Sequence, residues 1–557
     1  MATAEEVLKA EDRLKAGRTP HESDWRDLGE YLLPTRSMAI TGMMPGAKIT
    51  TKVFDSEGLT APKMLSSSLH GNLTNPSALW FALEMRQPEL NLLNEVQDWL
   101  EDTSVRAHAA LRASNFTNEV ASAYEDLPVF GPCALFQDVI PPPRPGLLPE
   151  QLFTALPIGT YYIAENHKGR VDTLYYRLNM SIRAIRQRWG ERKMGKDLND
   201  LYMKDRDQTV PILHAVYPRS DRNYESRTAR NMPFTSCWVY PDKKQLIDES
   251  GYPEFPGSVC RWSRQAGEPY GRGQGHLALP DIRTLNRSVE LNLMDWALDI
   301  APPLFEIDRA VKGDLRWEPR ARNVVTQREA VFTVKTGSNR QRTEVEWDRL
   351  EKKIQRIFFV DRLLAMLPTE NPTYQTAFEF AKRMQQEFLL IGPAYGRITG
   401  ELLGPIVERT VRVLERSGGL LPLPAALQAS PDADMDIRYV GPLARAQEAE
   451  KLTGISQKNI WLQNVITVTG DQTIADNWDF DAEAAVVSRG FGVPASVTRG
   501  RDAVAKIRQV RAQQQAQAAQ MQALQQVAQA AGQAAPMIKA LRQAPPPGAQ
   551  IATQGGP

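Results

Sequence analysis

The chain has 557 residues, 42% hydrophobic and 24% charged, which exceeds one ordinary domain and suggests roughly three or four structural units, each with a core. Its 67 Lys and Arg balance 66 Asp and Glu and the sequence pI is near 7.7, so the basic excess of a protein that grips nucleic acid over its whole surface is missing. The start, Met-Ala-Thr-Ala-Glu-Glu, lacks the apolar core of a signal peptide, and no stretch approaches the ~18 apolar residues of a membrane span. Cys133, Cys237 and Cys260 are few, odd in number and widely spaced, which fits reduced thiols in a cytoplasm and excludes a disulfide framework.

Residues 3–33 read as helix, with Leu8, Leu14, Trp25, Leu28 and Leu32 as apolar contacts and Pro34 as the stop. Thr51 to Phe54 reads as a short strand, Ser56 through Leu73 as helix, Thr74-Asn75-Pro76-Ser77 as a turn and Trp80 to Leu83 as a buried strand. Residues 91–126 are helical in pattern, broken at Ser114-Asn115. From Val129 to about Val259 short β-rich runs alternate with Pro and Gly: Ala134-Leu135-Phe136, Tyr161 to Ala164, Thr173 to Tyr176 and Ile212 to Val216, interrupted by one helix from Ser181 to Trp189. Pro141-Pro142-Pro143 reads as loop.

The most informative stretch follows. Tyr270-Gly271-Arg272-Gly273-Gln274-Gly275 leads to Leu279-Pro280-Asp281-Ile282, a helix start in which Pro costs no hydrogen bond because first-turn N–H groups have no partner. Ile282, Leu285, Val289, Leu293, Trp296 and Ile300 recur at helical spacing until Ala301-Pro302-Pro303 stops the run. Strand-like segments come next (Leu304-Phe305, Val324-Val325 and Val331 to Val334). A return helix then opens on Thr343-Glu344-Val345-Glu346, read as a capping box. Val345, Leu350, Ile354, Ile357 and Phe358 mark its apolar side. Two rods of about 19 residues, roughly 28 Å each, cannot bury all these faces on each other. Neighbouring copies of the same chain are expected to cover the remainder, which reads as a ring. Arg362 to Thr373 reads as loop, Tyr374 to about Leu390 and Gly396 to Ser417 as helices with a kink at Gly392-Pro393, and 440–490 as further helices. Beyond Arg501, Ile507, Val510, Met521, Leu524, Ala528 and Ala531 fit a heptad-like seam interrupted by Gln514 and Gln517. A helical barrel, a weak coiled coil and a solvated low-complexity helix all fit that composition. The tail after Pro545-Pro546-Pro547 is expected to be disordered.

Sites of chemistry are scarce. Gly271, Gly273 and Gly275 lack the strand–loop–helix context of a dinucleotide site, and the pattern Gly-x-x-x-x-Gly-Lys-Ser/Thr occurs nowhere, so they read as helix-entry glycines. His21, His70, His108, His167, His214 and His276 are never at metal-ligand spacing. Asp434 and Asp436 lie two apart, as do Asp479 and Asp481; the latter pair could be imagined as a two-metal nuclease site, but such pairs read as caps or loop charges. No catalytic, cofactor or metal residue is assigned. From 301 to 342 the chain is locally basic: Arg309, Lys312, Arg316, Arg320, Arg322, Arg328, Lys335, Arg340 and Arg342 outnumber Glu306, Asp308, Asp314, Glu318 and Glu329. That segment reads as a solvated face or, preferably, a protein-docking tip.

In order, these pieces resemble the head-to-tail connector, or portal, proteins of short-tailed bacteriophages over roughly residues 5 to 515. The resemblance rests on Trp25 through Tyr31-Leu32-Leu33-Pro34, Val53-Phe54-Asp55-Ser56, Leu73-Thr74-Asn75-Pro76 before Trp80-Phe81, and Ser114-Asn115-Phe116 before Val129-Phe130-Gly131. It continues through Tyr161 to Glu165, Gly169-Arg170-Val171-Asp172, Tyr270 to Gly273, Leu279 to Ile282, Thr376-Ala377-Phe378-Glu379 and Gly492-Val493-Pro494. It implies an α+β ring subunit with a mixed α/β wing, a helical stem, a small α/β clip and a C-terminal helical crown or barrel. Laid on this chain, 1–280 is wing, 281–300 and 343–361 are stem, 301–342 is clip, 362–373 is channel loop, 374–500 is wing and crown helices, 501–543 is crown or barrel helix and 544–557 is tail.

The resemblance further implies twelve copies at one capsid vertex of the virion, assembled in the host cytoplasm, with double-stranded DNA passing through without sequence specificity. Implied partners are a terminase motor, tail or adaptor proteins, and capsid and scaffolding proteins, with no membrane and no cofactor. The expected subunit seam is Leu285, Val289, Leu293, Trp296, Leu350, Ile354 and Phe358. The expected docking residues are Arg316, Arg320, Arg322 and Arg328, and Arg362, Leu367, Thr369 and Asn371 are expected in the channel loop. A near-neutral charge suits a conduit, because each neutralised phosphate adds counterion-release affinity that would hold DNA in place. The competing readings are a tail adaptor or internal ejection protein and a terminase-like packaging enzyme, which would need a P-loop and a clustered acidic site.

Overall fold

The computed structural model describes residues 3–300 (less 37, 43–45, 48–51, 143, 145 and 223–227), 304–306, 331–333, 340–361, 392–490 (less 431–433, 441 and 471–472) and 504–522. It divides into two compact units, residues 1–90 with 99–454, and residues 91–98 with 455 onward. The fold is α+β, as the sequence leads one to expect.

The first unit opens with α1 (Ala4–Tyr31), started by a capping box in which Thr3 and Glu6 satisfy each other's backbone N–H groups. Then come α2 (Met38–Thr41) and α3 (Glu57–Leu73). Val53 and Phe54, expected in a strand, pair with no strand among the described residues. Asn286 Oδ1 accepts from the N–H groups of Phe54 and Asp55 at 2.8 and 3.1 Å, so a side chain supplies what a ladder would have. Thr51 lies outside the described residues. Strand β1 (Phe81–Met85) pairs with residues Met435–Tyr439, a partner far along the chain that no local pattern announces.

Helices α4 (Asn94–Ala113) and α5 (Phe116–Phe130) break where expected, at Ser114-Asn115. Helix α5 runs through Val129 and Phe130, past the expected start of the β-rich part, because both side chains are fully buried in its packing.

The β-rich part has two antiparallel sheets. One has the order β3-β2-β9, with β2 (Pro132–Ile140) between β3 (Glu150–Leu156) and β9 (Gly257–Arg261). The outer edge of β3 is covered by side chains at the start of α5. Asn115 exchanges two bonds of 2.8 Å with the Phe153 backbone, and Glu119 accepts from Ala155 N–H at 2.7 Å. The other sheet runs in chain order through β4 (Tyr161–Glu165), β5 (Val171–Ser181), β6 (Thr209–Pro218), β7 (Phe234–Tyr240) and β8 (Gln245–Tyr252). Its two faces alternate along each strand. Val210, Ile212, Trp238 and Tyr240 pack on Ile182, Ile185, Met194 and Leu198 of α6 (Ile182–Trp189) and α7 (Glu191–Lys204). Leu213, Ala215, Cys237 and Val239 pack on Ala4 and Val7 of α1. The second helix, α7, was not expected; Gly190 at φ +75° ends α6 and restarts the chain at once.

Helix α8 (Gln274–Ile300) begins well before Asp281, so Pro280 lies inside it. The glycines before it are packing sites for backbone. A Cβ at Gly273 would stand 2.4 Å from Pro128 O, and one at Gly131, where φ is +100°, only 2.7 Å from Arg272 Cα. The end of α5 and the entry to α8 therefore touch main chain to main chain, which only glycine permits. Strands β10 (Leu304–Glu306) and β11 (Val331–Thr333) pair antiparallel, with Phe305 opposite Phe332. Helix α9 (Arg340–Ile357) returns. It starts before Thr343, so Thr343 lies within the first turn and cannot act as its N-cap.

Further on, residues 392–397 are helical, Ile398–Leu403 form a π-helix and α10 (Gly404–Arg416) follows. The π segment turns Glu401 onto Arg261, which is 1% exposed: Glu401 takes bonds from Arg261 N, Nε and Nη2 at 3.1, 3.2 and 2.8 Å, and Glu165 pairs with Arg261 Nη1. Strand β12 (Met435–Tyr439), the partner of β1, ends on Tyr439, whose hydroxyl donates to Thr399 O at 2.8 Å.

The second unit contains residues 455–469 of α11 (Pro442–Thr469), a 3₁₀ turn (Thr473–Asn477), α12 (Phe480–Gly490) and the helical residues 504–522. Lys458 lies over the Trp478 and Phe480 rings and pairs with Glu483. Of the heptad-like seam, Val510 and Met521 are exposed and Ile507 is half-buried, and Leu524, Ala528 and Ala531 lie outside the described residues. Among the described residues no helix is long and apolar enough to cross a membrane.

Candidate functional site: the helical hairpin and its tip

Helix α8 is 27 residues long, about 40 Å. At 100° per residue, Ile282, Leu285, Val289, Leu293, Trp296 and Ile300 fall within an arc of about 80°. The first two are 0% and 1% exposed, and Val289 is half-buried. Leu293 is 45% exposed, Trp296 46% and Ile300 86%. Leu291 and Met294, on the opposite side, are 49% and 52% exposed. One continuous apolar stripe is thus buried at its N-terminal end and open at its C-terminal end, and the open end has apolar residues on both sides.

The buried end is firmly seated. Asn286, 3% exposed, sits beside the stripe; besides holding the 54–55 backbone, its Nδ2 donates to Ile282 O at 3.0 Å. Ile282 packs on α3, where a Cβ at Gly58 would come within 3.0 Å of it. Arg283 pairs with Asp27 of α1. Ile354 of α9 and Phe358 in the turn just after it are fully buried, Lys353 Nζ reaches Asp281 at 2.7 Å, and Trp347 Nε1 donates to Ser288 Oγ at 2.7 Å. Leu350 is half-buried and Val345 is 67% exposed.

On α9 and α3, Glu351 and Glu57 are pushed above the usual carboxylate range. Desolvation is the largest cause for both; Asp55 adds to both, and Glu57 itself adds to the rise at Glu351.

The seven expected seam residues therefore divide. Leu285, Ile354 and Phe358 are packed inside the subunit, Val289 and Leu350 are intermediate, and Leu293 and Trp296 face solvent. Sequence reading missed Leu291 and Met294 because it followed one stripe. It also missed Asn286, although a lone polar residue beside an apolar stripe signals a buried hydrogen-bonding post. Arg316, Arg320, Arg322 and Arg328 lie outside the described residues, as do Arg362, Leu367, Thr369, Asn371 and the helix expected from Tyr374 to Leu390. The strand-like runs at 304–305 and 331–333 do form a β pair, and Val324-Val325 lies outside the described residues.

Other candidates resolve into structure. Asp479 Oδ1 accepts from Asp481 and Ala482 N–H at 3.0 and 2.9 Å, a helix-start cap for α12. Asp434 pairs with Arg86, and Asp436 Oδ1 accepts from Ile437 N–H. No group of His, Cys, Asp and Glu among the described residues is arranged to hold a metal ion. His21 stacks on Trp25 with ring centroids 5.5 Å apart. His214 bonds Tyr176 and Ser236 at 2.8 Å each, and burial holds its imidazole well below its usual pKa.

Residues 4–498 match the family model of bacteriophage head to tail connecting proteins. The chain belongs to that family. It is a head-to-tail connector, as the sequence reading expects, and a tail adaptor, an internal ejection protein or a packaging enzyme is not favoured. The connector is 27% identical over 532 residues to a probable portal protein of Bordetella phage BPP-1, covering 93% of this chain and 92% of that one. It is 27% identical over 544 residues to a portal protein of Salmonella phage epsilon15, covering 94% of each. Among solved structures it is similar to a chain in the neck of a native gene transfer agent particle computed with C12 symmetry, at 11% identity and TM-score 0.33, covering 73% of this chain and 87% of that one.

Proposed function

We propose that this connector is the portal of its phage: a closed ring of twelve copies at one capsid vertex, through which double-stranded DNA enters during packaging and leaves during ejection. The observation that carries the ring is the open end of the α8 stripe. Leu293, Trp296 and Ile300 continue a line of side chains that is otherwise buried, and Leu291 and Met294 back them on the far side. A helix that is apolar on two sides suits a position between two neighbours. Head-to-tail contacts of one kind close into a ring when their rotation divides a full turn. The segments 281–300 and 343–361 are the stem in this reading, 301–342 the clip and 362–373 the channel loop. Residues 1–280 and 374–500 form wing and crown, and 501–543 a crown or barrel helix.

The clip docks tail or adaptor proteins and, during packaging, the terminase motor; capsid and scaffolding proteins meet the rest of the ring. Assembly takes place in the host cytoplasm and the ring ends in the virion. The chain alone is expected to show no nucleotide hydrolysis, since the sequence has no phosphate-cradling loop with its lysine. Imaging of the purified chain by negative-stain microscopy tests this reading. Rings with a central hole are expected, and monodisperse monomers at micromolar concentration would contradict it. Replacing Arg316, Arg320 and Arg322 with Glu is expected to leave ring formation intact and weaken tail attachment, because rim charges act mainly on encounter and specificity. Wild-type tail attachment by that variant would remove the electrostatic part.

A further inference from the structure

Cys133 and Cys260, far apart in sequence, are directly opposite each other in the antiparallel β2–β9 pair. Both are free and fully buried, and the Cys260 sulfur makes a weak contact with Arg261 O at 3.9 Å. The bonds from Trp262 N–H to Gly131 O at 2.7 Å and from Gln137 N–H to Pro256 O at 2.9 Å flank them at the even spacing of hydrogen-bonded positions. Opposing Cα atoms at such positions lie about 5.5 Å apart, within the ~4.4–6.8 Å that a disulfide spans. Cys237, by contrast, has the Tyr217 hydroxyl at 3.9 Å as its sulfur contact.

The place of this pair in the chain gives it meaning. The chain leaves α5 through Gly131 into β2 and comes back by β9 on its way to α8. The chain between 134 and 259, which includes the five-stranded sheet with α6 and α7, is bounded in sequence by this neck, and the sheet is also held by its packing on α1.

We propose that Cys133 and Cys260 are a redox latch at the neck, a modification site that hydrogen peroxide closes as an intrachain disulfide. Peroxide oxidises one thiol to a sulfenic acid and leaves as water. The second sulfur attacks the sulfenic sulfur, the S–S bond forms, the S–O bond breaks and a second water departs. Buried thiols are out of reach of peroxide until β9 parts from β2, so the latch records opening of the neck and stays open in a reducing compartment. Once closed, it ties β2 to β9 and closes the loop from 134 to 259 at its base.

The full-length protein is treated with hydrogen peroxide, quenched, unfolded, alkylated, and mapped by mass spectrometry without reduction. The expected result is loss of alkylation at Cys133 and Cys260 alone, a peptide linking them, recovery on reduction, and no chain-to-chain product. The Cys237→Ser variant is expected to behave identically. Alkylation of all three cysteines after peroxide, sulfinic acid on either member of the pair, or a link to Cys237 or to a second chain would each overturn the proposal. The wild-type map needs no variant to fold.

Discussion

The two ends of α8 carry the same apolar spacing and meet different fates. At the N-terminal end Ile282 and Leu285 are buried against α3 and α9, and Asn286 and Arg283 tie the helix to segments before it in the chain. At the C-terminal end Leu293, Trp296 and Ile300 lie on the same line and are open to solvent. Periodicity tells which face of a helix is apolar, but not whether the covering surface belongs to the same chain. The buried end should thus govern subunit stability, and the open end assembly.

That division yields graded predictions. Ile354→Ala removes a fully buried side chain that meets the seated end of the hairpin and is expected to cost about 2–5 kcal/mol of subunit stability, read from a denaturant midpoint; a loss below ~1 kcal/mol would place Ile354 outside the core. Gly131→Ala, at φ +100° and with a Cβ 2.7 Å from the Arg272 backbone, is expected to cost at least ~1–3 kcal/mol, and the same denaturation measures it. Asn286→Ala leaves the Phe54 and Asp55 N–H groups without their acceptor and should cost about 1–3 kcal/mol, with faster amide exchange at 54 and 55.

A smaller effect is expected from acid. His214 is buried and neutral, and its folded pKa is depressed, so the unfolded chain takes up the proton first. The stability it protects is present above about pH 6.5 and is lost as pH falls below that, by up to ~1.4 kcal/mol per pH unit. Denaturant midpoints at pH 7.5 and 5.5, compared between wild type and His214→Gln, isolate this share; identical pH slopes would contradict it.

Much of the fold is legible in local pattern because local physics decides it. The helix read over 3–33 forms, Ser114-Asn115 break a later one, and the β-rich runs are bounded by Pro and Gly as turn chemistry requires. What was not legible depends on partners distant in sequence. Phe81–Met85 pairs with Met435–Tyr439, Glu401 is drawn to Arg261 across a π-helix, and Cys133 faces Cys260. The start of α8 was misplaced for a related reason. Pro280 is tolerated inside the helix, and the glycines before it serve close backbone packing that only the folded chain reveals. For the candidate site, spacing found the apolar face of α8, while its division into a seated and an open half required burial.

Mass photometry of the double variant Leu293→Asp/Trp296→Asp, alongside wild type, is the most direct test. Both side chains are nearly half exposed in the single chain, so the variant subunit should fold with stability within about 0.5 kcal/mol of wild type. In a ring the same charges would be buried against a neighbour without partners. Wild type is expected at the mass of a closed ring and the variant at the mass of one subunit. A variant that still forms wild-type rings would contradict the assignment of this face to the subunit contact.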